Sequence, residues 1–456
     1  MAWGAAGGSD ELISKARGAR SLCVMPFRRF CADECVALCT ALADNDTLTE
    51  LLASGHAIGE SGAKALGALL SRGVIERLAV GDTCFGGAGV AALAEGLGGA
   101  QCALRYLDLE YKSLDATGGA QQLGRLLRLS PSLEELNLAR NPLNDAGAAA
   151  LAQPLRTNAL ISLDLSESGV SAAAFPPSFA NSLRRLRTLK VSRNQTLGDA
   201  GAVAIAALAV PDLTTLNLEE SDVGFVGLLA LADVPTLSNL QLGGNCRLGA
   251  ELRGADAPSL PVWERLARLD TLGLGHCALG DAPALGLAEA SARMAPEAID
   301  GGGLRVIEFN SNKLTVVGAS ALLRHCSSLE SLRLFDNPLG GDRSAEAVDD
   351  GSAGADGSAV PLGDHMGAAL VDGASALKSL DLGACGIDAS AALALCTALL
   401  REAVAPKLMY LELNGNELGA PLAIDMRAQL GEARPGFDLA WREAERDQQL
   451  PHQAGN

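Results

Sequence analysis

The residues that could do chemistry are few, and the first to consider are three cysteines near the start of the chain. Cys31, Cys35 and Cys39 follow one another at steps of four, which places all three on one face of a helix. Such a face could bind a metal ion or form a redox centre. No histidine or second cysteine pair completes a set of ligands, so the pattern favours reduced, mostly buried thiols on the inner side of a helix.

The other reactive residues also lack the spacing that catalysis needs. The five histidines are dispersed, and none recurs with a fixed serine, cysteine or aspartate partner. The segment 59–64, Gly-Glu-Ser-Gly-Ala-Lys, is only loosely similar to a phosphate-binding loop, because it lacks the pattern G-x-x-x-x-G-K-[ST]. The sequence therefore predicts no catalytic residue, no cofactor, no metal site and no enzymatic activity.

A repeated leucine pattern explains where these residues stand. Segment 133–147 has the frame L-x-x-L-x-L-x-x-N-x-L, followed by a turn and a glycine, and the frame returns along most of the chain. The early repeats are 27 to 29 residues long, which is enough for one strand, one helix and two loops. The first position of the frame is occupied by Leu48, Ile75, Leu104, Leu133, Leu160, Leu186, Leu213, Leu237, Leu269, Leu304, Leu329, Leu377 and Leu408.

The frame has a simple physical meaning. Its fourth and sixth positions share one face of a short strand, because side chains alternate along a strand, and one repeat cannot bury that face without its neighbours. Over residues 22–439 the chain resembles the ribonuclease-inhibitor type of leucine-rich repeat, and its repeats are also similar to those of Ran GTPase-activating proteins. The resemblance implies an α/β fold, a leucine-rich repeat horseshoe solenoid with parallel strands on the concave face and helices on the convex face.

The ninth position of the frame is usually asparagine, whose amide can pair with buried backbone groups of neighbouring loops. His56 and Lys112 fit this position badly, which predicts looser or partly solvent-facing loops there. Cysteine or small polar residues fill it elsewhere. Asparagine occupies it at Asn141, Asn194, Asn245, Asn312, Asn337 and Asn416.

The spacing of the frame also predicts the organisation of the chain. Residues 1–20 are expected to be a flexible leader and residues 21–441 the repeat domain, with an N-terminal cap unit at 21–47 and a C-terminal cap at 434–441. Residues 340–359 are rich in glycine, serine, alanine and aspartate, which predicts a disordered acidic insertion. Residues 442–456 are expected to be a polar tail.

Charge indicates the kind of partner. The chain has 36 lysines and arginines against 54 aspartates and glutamates, a net charge of −18, which disfavours a nucleic-acid partner and favours a protein partner with a basic surface. No long apolar run predicts a membrane span, and the first residues lack the pattern of a secretion signal. We therefore expect a cytoplasmic protein, with the nucleus as a second location, and no membrane partner.

The outward positions of the strands predict the binding surface. Aromatic side chains among charges of one sign are typical of a contact with a basic protein, although any solenoid also has charged strand faces. One group of these positions lies in the middle repeats and a second near the end of the chain. The predicted partner-binding residues are Tyr106, Asp108, Glu110, Tyr111, Glu134, Glu135, Arg140, Asp164, Glu167, Arg193, Glu219, Glu220, Phe335, Asp336 and Tyr410.

Three classes of function remain open on the sequence. The first is an intracellular scaffold that binds a partner protein on its concave face. The alternative is a GTPase-activating or regulatory protein of the Ran-like type, acting on a small GTPase, because proteins with similar repeats accelerate hydrolysis on a bound GTPase. A third is the sensor end of an innate-immune-type receptor.

Overall fold

The computed structural model describes residues 9–252, 260–294, 303–340 and 362–442. The chain forms two compact units, Met1–Leu237 and Ser238–Asn456. Most of the predicted acidic insertion, residues 341–359, lies outside the described residues, as do residues 1–8 of the predicted leader and residues 443–456 of the predicted tail.

The first unit is built on short parallel strands that pair in chain order. The strands are β1 Ser21–Cys23, β2 Glu50–Ser54, β3 Arg77–Gly81, β4 Tyr106–Asp108, β5 Glu135–Asn137, β6 Ser162–Asp164, β7 Thr188–Lys190 and β8 Thr215–Asn217. The helices are α1 Ser9–Gly18, α2 Ala32–Ala41, α3 Gly59–Leu70, α4 Gly86–Gly96, α5 Gly118–Arg128, α6 Asn144–Ala150, α7 Ala152–Leu155, α8 Gly198–Ala207 and α9 Phe225–Ala232. Between β6 and β7 the structure has two 3₁₀ segments, Ala172–Ala174 and Pro177–Ser182.

The second unit repeats this plan, again with parallel strands paired in chain order. Its strands are β9 Asn239–Gln241, β10 Thr271–Gly273, β11 Val306–Glu308, β12 Ser331–Arg333, β13 Ser379–Asp381, β14 Tyr410–Glu412 and β15 Asp438–Ala440. Its helices are α10 Cys246–Leu252, α11 Leu260–Leu266, α12 Asp281–Arg293, α13 Val316–His325, α14 Leu362–Asp372, α15 Ala389–Leu399 and α16 Ala420–Ala433. The predicted α/β leucine-rich repeat fold is therefore confirmed.

The leucine frame forms the core of both units. All thirteen first-position residues are at most 8% exposed, and every predicted start lies just before a strand. The central residue of each three-residue strand is an equally buried leucine or isoleucine, and Leu51 and Leu78 fill the same frame position in the longer strands β2 and β3. Burial of one such side chain stabilises the fold by about 1.5–3 kcal/mol, so stacking of repeats supplies most of the stability.

The predicted role of the ninth position is seen clearly at Asn141, which is fully buried. Its Oδ1 accepts hydrogen bonds from the backbone N–H groups of Lys112 (2.9 Å) and Leu114 (3.0 Å). Its Nδ2 donates to the carbonyls of Leu109 (2.8 Å) and Leu138 (2.9 Å). One asparagine thus satisfies backbone groups in two consecutive repeats.

The prediction that His56 and Lys112 face solvent is wrong, because they are only 4% and 3% exposed. The His56 ring nitrogen Nε2 lies 3.1 Å from the carbonyl of Val24, and the ring packs edge-on against Phe30. The long side chain of Lys112 spans two repeats and donates to Ser54 Oγ at 3.0 Å. Both residues therefore make hydrogen bonds from the slot that asparagine normally fills.

The glycine that opens most helices of the frame has a structural reason. Asp281, at the start of α12, accepts hydrogen bonds from the N–H groups of Thr315 (2.8 Å) and Gly318 (3.2 Å) in the next repeat. A Cβ atom on Gly318 would lie 2.4 Å from Asp281 Oδ1. Asp199 accepts from the N–H of Gly227 in the same way, at 2.7 Å. An aspartate of one repeat thus caps the helix of the next, and the glycine makes room for it.

All eleven cysteines are free thiols. Cys35 and Cys39 are buried on α2, as the helical spacing predicts, whereas Cys31 is half-buried at the helix start. A hydrogen bond with Cys39, together with burial, raises the pKa of the Cys35 thiol far above its ordinary range. These thiols therefore behave as small apolar core residues.

Candidate functional site

The predicted site of the first unit lies on the face of the strands that points away from the leucine core. We call four residues on β4, β5 and β6 the strand row: Tyr106, Asp108, Glu135 and Asp164. Tyr106 pairs in register with Glu135, and Asp108 and Asp164 flank Asn137. The parallel register therefore brings these side chains side by side, as the frame predicts.

Arg77 covers one of the two tyrosines. Its guanidinium carbon lies 4.0 Å from the centre of the Tyr106 ring, and its nitrogens reach Glu50 at 2.9 Å and Glu135 at 3.8 Å. The Tyr106 hydroxyl donates to Asp108 at 3.3 Å. Burial, followed by the charge of Asp108, raises the pKa of Tyr106 to about 12, so the phenol stays neutral. The Tyr106 ring is already occupied by a cation–π contact within the protein.

A second level of the surface lies where the strands end and the turns begin. We call Tyr111, Arg140, Glu167, Arg193 and Glu220 the edge row, since each occupies the same frame position in consecutive repeats. All five are exposed, and all have a left-handed backbone, with φ between 52° and 59°. The N–H of each of the first four bonds to a carbonyl of the next repeat at 2.7–2.9 Å, so the turns form a regular ladder.

Opposite charges alternate along the edge row. Arg140 lies between Glu110 (3.5 Å) and Glu167 (3.1 Å), and Arg193 pairs with Glu220 at 3.4 Å. These side chains are 40–52% exposed, and exposed pairs of this kind contribute only about 0–1 kcal/mol to stability. The charges therefore stay available to a partner.

Two open cavities lie along the edge row. One, of about 540 Å³, is lined by Tyr111, Arg140, Pro142, Asn144, Glu167, Ser168 and Gly169. The other, of about 270 Å³, is lined by Glu110, Ala139, Arg140, Asp164, Ser166, Glu167, Lys190, Ser192, Arg193, Glu219 and Glu220. The cavities share Arg140 and Glu167, and the second has five carboxylates against three cationic groups. A groove that is acidic on balance thus follows the edge row.

Tyr111 is the exposed aromatic side chain of this groove. It is 58% exposed and has φ 56°, a backbone conformation that costs a bulky residue about 1–2 kcal/mol. The next residue, Lys112, fixes the turn, because its ammonium donates to the carbonyl of Glu110 at 2.6 Å. Burial lowers the pKa of Lys112. Tyr111 is thus presented to solvent by a turn that its neighbours hold in place.

The remaining predicted residues of the first unit lie beside these rows. Glu134 pairs with Arg105 at 2.7 Å, one position before the strand row. Glu219 accepts a hydrogen bond from the side chain of Asn217 at 2.9 Å, next to the edge row. Arg77 belongs to this surface but is not among the predicted partner-binding residues. Its contact with Tyr106 joins the same frame position of two consecutive repeats, but the sequence does not show that the guanidinium lies over the ring.

The second unit holds the other three predicted residues. Phe335 is 41% exposed at the end of β12, and Asp336 beside it has a left-handed backbone, φ 58°. Tyr410 begins β14 and is half-buried, and its hydrogen bond to Glu412 raises its pKa to about 12. Phe335 lies two residues after β12 and Tyr410 lies within β14, so they occupy different positions of the frame. The structure therefore gives less support to a single cluster here than in the first unit.

Within the described ranges, no group of three or more histidine, cysteine, aspartate or glutamate side chains is arranged to hold a metal ion. No helix in that part of the chain is long and apolar enough to cross a membrane.

Comparison with known proteins supports the fold and repeat type. The Leucine Rich repeat family model matches residues 129–152 and 183–206. The chain is 34% identical to ribonuclease inhibitor of Mus musculus over 226 residues, which is 47% of this chain and 48% of the relative. It is also 34% identical to ribonuclease inhibitor of Sus scrofa over 222 residues, 46% and 48% of the two chains. The match spans about half the length of these relatives.

Two further similarities are less extensive or concern the fold alone. A NACHT, LRR and PYD domains-containing protein 12 of Mus musculus is 30% identical over 214 residues, 44% of this chain and 20% of that protein. A chain of the yeast Rad7–Elc1 complex superimposes with a TM-score of 0.50 at 17% identity, covering 90% of this chain and 93% of that chain. The second likeness shows the fold only.

Proposed function

This chain is a leucine-rich repeat protein of the ribonuclease-inhibitor-like type, and we propose that it is a scaffold that binds a partner protein on the strand face of its first unit. The observation that carries the proposal is Tyr111, which is 58% exposed in a left-handed turn that a glycine would adopt without strain. Glycine occupies the same turn position at Gly55, Gly244 and Gly415, but most other repeats have a non-glycine residue there in the same left-handed conformation, so it is the exposed aromatic ring that distinguishes Tyr111. A strained, exposed aromatic side chain that adds nothing to the core fits a role in binding.

The charge of the groove supports a basic partner surface. Five carboxylates and three cationic groups line the second cavity, and the whole chain carries a net charge of −18. Charges of this kind steer a basic protein towards the groove and fix its orientation, which speeds association more than it tightens binding. The two ribonuclease inhibitors, which match this chain over about half of their length, are named for acting on another protein, a ribonuclease, and this is consistent with a protein-binding role.

The proposal also includes that this chain is not an enzyme and that it acts in the cytoplasm. A binding scaffold needs no cofactor, metal or catalytic residue, and we propose that this chain works without them. Eleven free thiols, of which Cys277 and Cys385 are completely buried, suit a reducing compartment. We therefore place the protein in the cytoplasm, with the nucleus as a second location.

The experiment that tests the proposal begins with capture of partners by the full chain and measures the affinity of each purified partner by calorimetry. Tyr111→Ala should weaken binding by about 2 kcal/mol if the ring is an anchor. A double variant, Glu110→Ala with Glu135→Ala, should weaken binding further and reduce its dependence on salt.

The matched control removes the same charge from the helices. Glu60 on α3 and Glu95 on α4 are exposed, so the double change Glu60→Ala with Glu95→Ala alters net charge equally without touching the strand face. Equal affinities of the two double variants would show that the strand face does not bind. A small GTPase among the captured proteins, hydrolysing GTP faster in the presence of this chain, would instead favour the Ran-like alternative, which stays a sequence prediction.

A further inference from the structure

The edge row has a regular spacing that restricts what can lie along it. The row runs Tyr111, Arg140, Glu167, Arg193, Glu220, so acidic or aromatic positions alternate with arginines from one repeat to the next. Neighbouring parallel strands lie about 4.8 Å apart, which places equivalent positions two repeats apart at about 9.6 Å. A cationic side chain of the partner would be repelled by an arginine of the row. Favourable positions for such a side chain therefore recur only at every second repeat, about 9.6 Å apart.

We propose that the partner segment bound along this groove is a polyproline II helix with a lysine or arginine at every third position. This inference rests on the proposed function and names the chemistry of the partner. A polyproline II helix has three residues per turn and rises about 3.1 Å per residue, so every third side chain projects in one direction at intervals of about 9.3 Å. That interval matches two repeats of the edge row.

Other backbone conformations fit the row less well. An extended strand brings side chains to one face at about 6.6 Å intervals, so its cations would soon fall above Arg140 or Arg193. An α-helix returns a side chain to the same face after seven residues, about 10.5 Å along its axis, and drifts further from the row with each repeat. The polyproline II helix is also ordered before it binds, so less entropy is lost.

The side chains of the row give each part of such a segment a contact. The first cation of the segment would lie next to Glu110 and Tyr111, the second next to Glu167, and the third next to Glu219 and Glu220. Arg140 and Arg193 would then lie between successive cations. The Tyr111 ring, beside the larger cavity, offers an apolar face to proline, as aromatic side chains do in other proline-binding grooves.

One glycine lies in the wall of the larger cavity. Gly169 has φ 71°, and a Cβ atom there would lie 2.6 Å from Asn144 Oδ1. The Asn144 amide in turn donates to the carbonyl of Pro142 at 3.1 Å. The cavity wall beside the Tyr111 ring therefore contains backbone groups and the amide of Asn144.

The test compares two synthetic peptides with the full chain. Both peptides consist only of proline and lysine, and both contain the same number of lysines. Lysine stands at every third position in the first peptide and at every fourth position in the second. Their charge and conformation match, but only the first keeps its lysines on one face. By fluorescence anisotropy at moderate salt, we expect the first to bind about tenfold more tightly.

Two variants locate the binding. Glu167→Gln should weaken binding of the first peptide by about fivefold, whereas Glu60→Gln on α3 should leave it unchanged. Equal affinity for the two peptides, no binding of either, or an effect of Glu60→Gln as large as that of Glu167→Gln would each overturn the inference. The proposed scaffold function would survive these results if a captured partner still lost affinity on the strand-face double change Glu110→Ala with Glu135→Ala.

Discussion

Changing Asn141 to alanine should destabilise the first unit by about 3 kcal/mol, and the structure shows why. The asparagine is completely buried and makes four hydrogen bonds of 2.8–3.0 Å to backbone groups of two repeats. Alanine leaves two N–H groups and two carbonyls without these partners. Each unsatisfied buried group costs about 1–3 kcal/mol, but water can enter at the edge of the sheet, so the total should fall well below the sum.

The assay is urea unfolding followed by circular dichroism, with hydrogen exchange of peptides covering residues 105–145 to locate the effect. Asn217→Ala is the matched control, because Asn217 lies on the strand face and its side chain bonds only locally to Glu219. Asn141→Cys should fall between the two, since Cys277 fills the same slot and its thiol donates to the carbonyl of Leu242 at 3.2 Å. If Asn141→Ala shifts the midpoint no more than Asn217→Ala does, the reasoning about the ninth position is refuted.

Three further predictions concern capping, pH and thiols. Asp281→Ala should cost about 1–2 kcal/mol by removing the hydrogen bonds that Asp281 accepts from Thr315 and Gly318 at the start of α13, and an unchanged unfolding midpoint would contradict the capping role. Because folding lowers the pKa of Lys112, the unfolded chain holds that proton more tightly, and the contribution of this residue to stability should rise with pH from the lowered value up to the ordinary 10.5. Over this alkaline range, the free energy of unfolding of the wild type should rise with pH relative to that of Lys112→Met. A difference between the two proteins that does not change with pH would contradict this prediction. Burial raises the pKa of the Cys385 thiol to about 12, so iodoacetamide should label it only after unfolding, while labelling of native protein should reach Cys23, Cys84 and Cys246.

The sequence predicts the strands well because their positions depend on a local pattern. Leucines at fixed steps must share one buried face, and each predicted start does lie just before a strand. The asparagine slot is equally accessible to sequence reasoning, since one amide matches the unpaired backbone groups of a turn. The prediction fails at His56 and Lys112 because burial at this slot depends on the surrounding loops and not on the polarity of the residue itself.

The site is harder to predict because its contacts join different repeats. Tyr106 and Tyr111 look alike in the sequence, yet Arg77 covers the first ring and the second is exposed at a left-handed turn. The predicted excess of acidic residues is real, but Arg140 and Arg193 pair with the carboxylates beside them, and these ion pairs depend on side-chain conformations that the sequence does not show.

The most direct test of the account is a hydroxyl-radical footprint of the chain alone and bound to a captured partner. Tyr111 on the edge row and Val226 on α9 belong to the same unit and are almost equally exposed, at 58% and 57%. We predict that the partner protects Tyr111 from oxidation and leaves Val226 unchanged. Protection of Val226 with unchanged oxidation of Tyr111 would contradict the claim that the strand face is the binding surface.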